Sequence, residues 1–153
     1  PGKPNEKNIY LDAQNAIDWL KNNIPDSKII VYGESLGTGV AVEIAKNNNI
    51  SGLILESPFT SLIDMGKIQF PFLPVKIILK DKFDNQSKIA EVECPILFMH
   101  GQDDKVVPFY MSQNLIKRSK TKTNFYSPVN DGHMMEFNDE LKRKIKSFIL
   151  SLN

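Results

Sequence analysis

Apolar residues recur at three- and four-residue spacing from Asn8 to Asn23: Ile9, Ala13, Ala16, Ile17 and Leu20, with Ile24 just beyond. That period predicts an amphipathic helix, which Pro25-Asp26 ends. Lys28 to Tyr32 (KIIVY) is a continuous, mostly β-branched run and predicts a buried strand. Gly33 to Gly39 predicts a tight turn, Val40 to Lys46 a helix and Gly52 to Glu56 a second strand. Pro58 to Gln86 is irregular, because Pro71 and Pro74 forbid one straight helix through the apolar stretch Ile68 to Pro74. Val75 to Leu79 predicts a short helix, Pro95 to His100 a third strand, Phe109 to Arg118 a helix and Thr123 to Ser127 a fourth strand. Asn138 can cap a last helix with Leu141, Ile145, Phe148, Ile149 and Leu152 inward. Alternating strands and helices imply an α/β fold with about four parallel strands flanked by helices.

Composition narrows the partners. With 153 residues the chain fits one domain around one core. A net charge of +1, carried mostly by lysine, gives no reason to expect nucleic acid, which favours bidentate arginine contacts. Lys142, Arg143, Lys144 and Lys146 read as the solvated face of the last helix. A single cysteine, Cys94, excludes an intrachain disulfide and fits a reducing compartment, so a cytoplasmic location is the expectation. No run is long enough to insert stably in a membrane, and the polar start Pro1-Gly2-Lys3-Pro4 carries no signal-peptide pattern.

Three motifs carry chemistry. Gly33-Glu34-Ser35-Leu36-Gly37 matches G-x-S-x-G between a strand and a helix. In that context it is a nucleophile elbow, which needs small residues around a strained serine and aims the N–H of Leu36 at a developing oxyanion. Gly33, Gly37 and Gly39 also spell the dinucleotide turn G-x-x-x-G-x-G, with Glu56 where a ribose-binding acid would sit. That reading fails because no tyrosine is followed four residues later by lysine, and because a helix precedes the glycine strand. His100-Gly101-Gln102-Asp103-Asp104 follows the third strand, where an acid can orient an imidazole. Asp131-Gly132-His133 follows the fourth. The order Ser35, Asp104, His133 places each residue just past a strand's C-terminal end, the edge where open α/β sheets do their chemistry. His100 is read as structural, beneath the Asp104 loop.

With these motifs the chain resembles α/β-hydrolases of the serine-aminopeptidase-like branch, which includes acyl-protein thioesterases and monoacylglycerol lipases. The resemblance rests on Pro4-Asn5-Glu6, Tyr10-Leu11-Asp12-Ala13, GESLGTGVA, LILESPF, PFLPVK, HGQDDKVVPF and DGH. It favours Asp104 over Asp103 as the acid, four residues past His100. It implies a truncated α/β-hydrolase fold over 1–153, one partial domain equivalent to the last four strands of the family sheet. It further implies a serine hydrolase acting on a small acyl ester or thioester through a seryl-acyl intermediate, with no metal or organic cofactor. Family members carry further upstream strands and a His-Gly loop that donates a second oxyanion N–H. Weak activity of the chain by itself is therefore expected. A non-catalytic remnant, or one piece of a split hydrolase completed by an N-terminal polypeptide, is the alternative. Candidate pocket residues are Glu34, Phe59, Phe70, Phe72, Leu73 and Val106, although the apolar ones could equally be core. The strand at Lys28 to Tyr32 lacks its family neighbour and carries no edge-blunting device, which predicts self-association or a complementing polypeptide.

Overall fold

The computed structural model describes residues 3–152. Asn5 accepts a hydrogen bond from the N–H of Asn8, so helix α1 (Glu6–Asn23) starts two residues before its apolar period does. Strand β1 (Ile30–Glu34) lies two residues further along than Lys28 to Tyr32. Pairing explains the displacement: Ile30 lies beside Gly52 and Glu34 beside Glu56, so β1 continues through Gly33 and stops only at Ser35. Lys28 instead donates from Nζ to the carbonyl of Leu152. Helix α2 (Gly37–Asn47) follows, then β2 (Gly52–Glu56), a run of five buried residues.

The irregular segment contains a helix that its prolines hide. Ser61 caps α3 (Leu62–Gln69) by accepting from the N–H of Asp64, and α3 ends before Pro71. Short α4 (Val75–Ile78) and α5 (Asn85–Lys88) follow, α5 running into a 3₁₀ turn at Ile89–Glu91. Then come β3 (Ile96–Met99), α6 (Tyr110–Arg118), β4 (Thr123–Tyr126) and α7 (Asp139–Leu150), which Asn138 caps.

The four strands form one parallel sheet in the order β1-β2-β3-β4. One face packs Leu53, Leu55, Ile96 and Phe98 against α2 (Ala41, Val42, Ala45), the turn residue Ile89 and Leu115 of α6. The other packs Ile54, Leu97, Met99 and Tyr126 against Leu141 and Phe148 of α7 and against Leu152. Ile149, expected on the inner face of α7, is exposed. β1 has a partner on one side, and Tyr32 on it is 47% exposed. A third cluster of Phe59, Phe83, Val107 and Met111 joins the β2–α3 loop to α6 beside the C-terminal sheet edge.

Candidate active site

The C-terminal ends of β1, β3 and β4 feed three turns that meet at one point. At the first, Ser35 has φ 48°, a left-handed backbone that side chains rarely adopt. Its N–H donates to the Glu56 carbonyl (2.9 Å), and its own carbonyl accepts from the hydroxyl (2.6 Å) and the N–H (3.0 Å) of Thr38. The turn closes only because Gly33 is bare: a Cβ there would stand 2.6 Å from both the Ala41 Cβ and the Gly37 carbonyl oxygen. Gly37 is different, since a Cβ there meets nothing within 4 Å. Leu36 follows Ser35 directly and leads into α2.

The second and third turns are zipped together. The N–H of Gln102 donates to the Pro128 carbonyl and that of Asp103 to the Asp131 carbonyl, both at 3.0 Å. Any side chain at Gly101 would collide with the backbone of Asp131 and Gly132. This fixes the distance between the acid and histidine loops. Asp103 is exposed, while the Asp104 carboxylate is buried. Asp104 Oδ1 accepts the N–H groups of Val106 (2.8 Å) and Val107 (2.9 Å), and Oδ2 lies 2.8 Å from His133 Nδ1. His133 Nε2 lies 3.0 Å from Ser35 Oγ. A carboxylate only accepts, so Nδ1 of His133 carries the proton and Nε2 presents its lone pair to the serine hydroxyl. Burial alone would raise the Asp104 carboxyl, but His133 and the two N–H groups outweigh it and hold it below the usual range.

Other side chains support the histidine loop. The Ser57 hydroxyl donates to the His133 carbonyl (3.1 Å), and Ser57 itself has φ 47°. Glu56 is buried on the α7 face of the sheet and accepts from the Tyr32 hydroxyl. Burial, together with the charge of Glu34, holds Glu56 above the ordinary carboxylate range against that hydrogen bond. Glu56 is therefore tied to Tyr32, not open to a ribose. Glu56 and Ser57 lie in the LILESPF stretch, but nothing in that stretch marks either one for this loop. Cys94 is buried, and burial pushes its thiol up to about 11, away from nucleophilic use.

The six pocket candidates separate. Glu34 is exposed beside Glu56. Phe59 is corrected to a core residue, 2% exposed among Phe83, Val107 and Met111. Phe70 and Leu73 line an apolar cavity of about 440 Å³ with residues of α3 and α4, and none of Ser35, Asp104 or His133 borders it. Phe72, 97% exposed, is outside that lining. Val106 exposes its side chain and acts through its N–H on Asp104. Among the described residues there is no cluster of three metal-binding side chains, and no helix is long and apolar enough to cross a membrane.

No protein-family model matches the chain. Its relatives include an uncharacterized protein of Mycobacterium tuberculosis, 34% identical over 135 residues that cover 87% of this chain and 48% of the relative. The α/β hydrolase domain-containing protein aho-3 of Caenorhabditis elegans is 33% identical over 151 residues, 97% of this chain and 44% of its own. The lysophosphatidylserine lipase ABHD12 of Rattus norvegicus is 33% identical over 132 residues, 74% of this chain and 33% of its own. The chain thus spans about half the length of the first two relatives and a third of the lipase. Among solved structures, an acetyl xylan esterase from Paenibacillus sp. R4 superposes with a TM-score of 0.77 at 17% identity, over 95% of this chain and 52% of its own. A Pyrococcus furiosus esterase gives 0.74 at 20% identity, over 94% and 62%. These two likenesses concern the fold alone. Sequence relatives and fold together place the chain in the α/β-hydrolase superfamily, as part of its domain.

Proposed function

We propose that this chain carries the catalytic residues of a serine hydrolase that cleaves a small acyl ester or thioester. The observation that carries the reading is the unbroken relay Ser35 Oγ, His133 Nε2, His133 Nδ1, Asp104 Oδ2, at 3.0 and 2.8 Å, starting from a serine at φ 48°. Ser35 Oγ attacks the acyl carbon while its proton passes to His133 Nε2. Asp104 keeps the imidazole in the productive tautomer and stabilises the imidazolium. The C–O or C–S bond to the leaving group then breaks, and His133 returns the proton to the departing oxygen or sulfur. Water repeats the cycle on the seryl ester and frees the acid. The N–H of Leu36, next to Ser35 at the start of α2, is the oxyanion donor this chain supplies.

The ester class draws support from the relative named a lysophosphatidylserine lipase and from fold neighbours named esterases. The open β1 edge is where a second copy, or a complementing polypeptide, extends the sheet.

A fluorophosphonate probe tests the central claim. It should modify Ser35 and leave Ser57, Ser61 and the remaining serines untouched. Labelling that persists in Ser35→Ala would refute the assignment.

A further inference from the structure

His100 ends the third strand run with its side chain fully buried, edge-on to Phe109 at 5.5 Å between ring centroids. The hydrolytic relay does not use it. Yet its Nε2 stands 3.0 Å from the Val107 carbonyl oxygen and 3.1 Å from Asp104 Oδ2, the same oxygen that faces His133. A carbonyl and a carboxylate both only accept, so Nε2 carries the proton; it bonds the Val107 carbonyl and has Asp104 Oδ2 within reach. Nδ1 then holds a lone pair, and it meets no hydrogen-bond partner among the described residues. A buried nitrogen left unpaired costs stability, and a leucine or phenylalanine would avoid that cost. The polar ring therefore needs a reason, and the Asp104 carboxylate supplies one.

We propose that His100 is a positioning residue: it donates Nε2–H to Asp104 Oδ2 from beneath the site and so fixes the carboxylate that orients His133. With it, each carboxylate oxygen has two N–H groups in reach: Val106 and Val107 at Oδ1, His133 and His100 at Oδ2. Four donors leave the group one rotamer. The second donor at Oδ2 also draws charge from the bond to His133. The titratable groups that reach His100 are Asp104 and His133, and Glu56 reaches His133 from β2. Burial pushes His100 below the ordinary histidine range, so it stays a neutral donor when the site is active.

The inference rests on the hydrolase reading above, and its test separates the two. The chain has two histidines, so ¹⁵N-histidine NMR resolves both rings. His100 should be a neutral Nε2–H tautomer, and Asp104→Asn should move its Nε2 proton resonance by weakening the bond. A proton on Nδ1, or an Nε2 proton unmoved in Asp104→Asn, would overturn the proposal whether or not the chain turns over substrate. In the reactive protein, His100→Phe should slow fluorophosphonate labelling of Ser35 about tenfold. It should also move the acid limb of the labelling rate up by about one pH unit, the scale of one hydrogen bond to a charged group. His100→Gln, which restores an N–H near Nε2, should recover most of both. An unmoved limb in a folded His100→Phe, or no recovery in His100→Gln, also overturns it. A wild-type chain that never labels defeats the hydrolase reading and leaves the NMR result to decide the role of His100.

Discussion

Ser35 keeps a left-handed backbone because three hydrogen bonds and the close approach of α2 leave it no alternative. Such a conformation costs an L-residue about 1–2 kcal/mol. Ser35→Gly should therefore be more stable than Ser35→Ala by about 1 kcal/mol in urea unfolding, although both lose the proposed nucleophile. Equal stability would mean that the turn is not strained. Asp104 is the proposed acid of the relay. Asp104→Asn keeps the shape but should favour the wrong His133 tautomer, with a loss in kcat of about 10⁴-fold on an ester. Its carboxyl is lowered in the folded chain, so the stability it contributes is complete above its unfolded value of about 4 and disappears as pH falls through the folded value. The stability gap between wild type and Asp104→Asn should accordingly narrow as pH falls below about 4. A gap that widened on acidification would contradict the depressed carboxyl. That Ser35, Asp104 and His133 converge was legible in the sequence, because each sits in a short local motif past a strand end. The support from Ser57 and Glu56 was not, because a hydroxyl on a distant carbonyl and a buried Tyr–Glu pair arise only when β1, β2 and the histidine loop come together.

At the level of elements, each displaced boundary has a cause outside its own segment. β1 reads as Lys28 to Tyr32 by hydrophobicity, but β2 pairs with it as far as Glu34, so Gly33 is strand and not turn. Helix α3 is hidden by Pro71 and Pro74, which lie just past its end and limit it without preventing it. Phe59 looks like a pocket residue beside the catalytic edge, yet the packing of Phe83 and α6 turns it into core. The two elbow glycines also differ in a way that G-x-S-x-G cannot show. Gly33→Ala must push apart α2 and β1 and should destabilise the fold by about 1–3 kcal/mol. Gly37→Ala puts its methyl group into open space at the first turn of α2 and should change stability by no more than about 0.5 kcal/mol. Thermal unfolding of the two variants side by side decides this. Comparable losses would mean that Gly37 is as closely packed as Gly33.

For the molecule as a whole, the free edge of the sheet at β1 governs the expected assembly. All four strands are parallel, and both faces are covered beneath β2 and β3. The edge strands β1 and β4 each have an unpaired side, and each exposes an aromatic ring, Tyr32 on β1 and Phe125 on β4. The β1 edge carries no proline or bulge, the devices that normally stop a strand from recruiting another chain. Relatives about twice as long have further chain available to pair there. These 153 residues by themselves have second copies available instead. In size-exclusion chromatography with light scattering, the chain should therefore run at twice its 17.4 kDa or more at micromolar concentration. Hydrogen exchange should find the outward amides of Ile30–Glu34 protected, and dilution to the monomer should release them. A monomer at all concentrations, with those amides exchanging freely, would show that the edge is tolerated bare. Adding a separately expressed polypeptide that supplies an upstream strand should compete with self-association. If it does so and also raises the rate of Ser35 labelling, one edge links the assembly of the sheet to the chemistry at its C-terminal end.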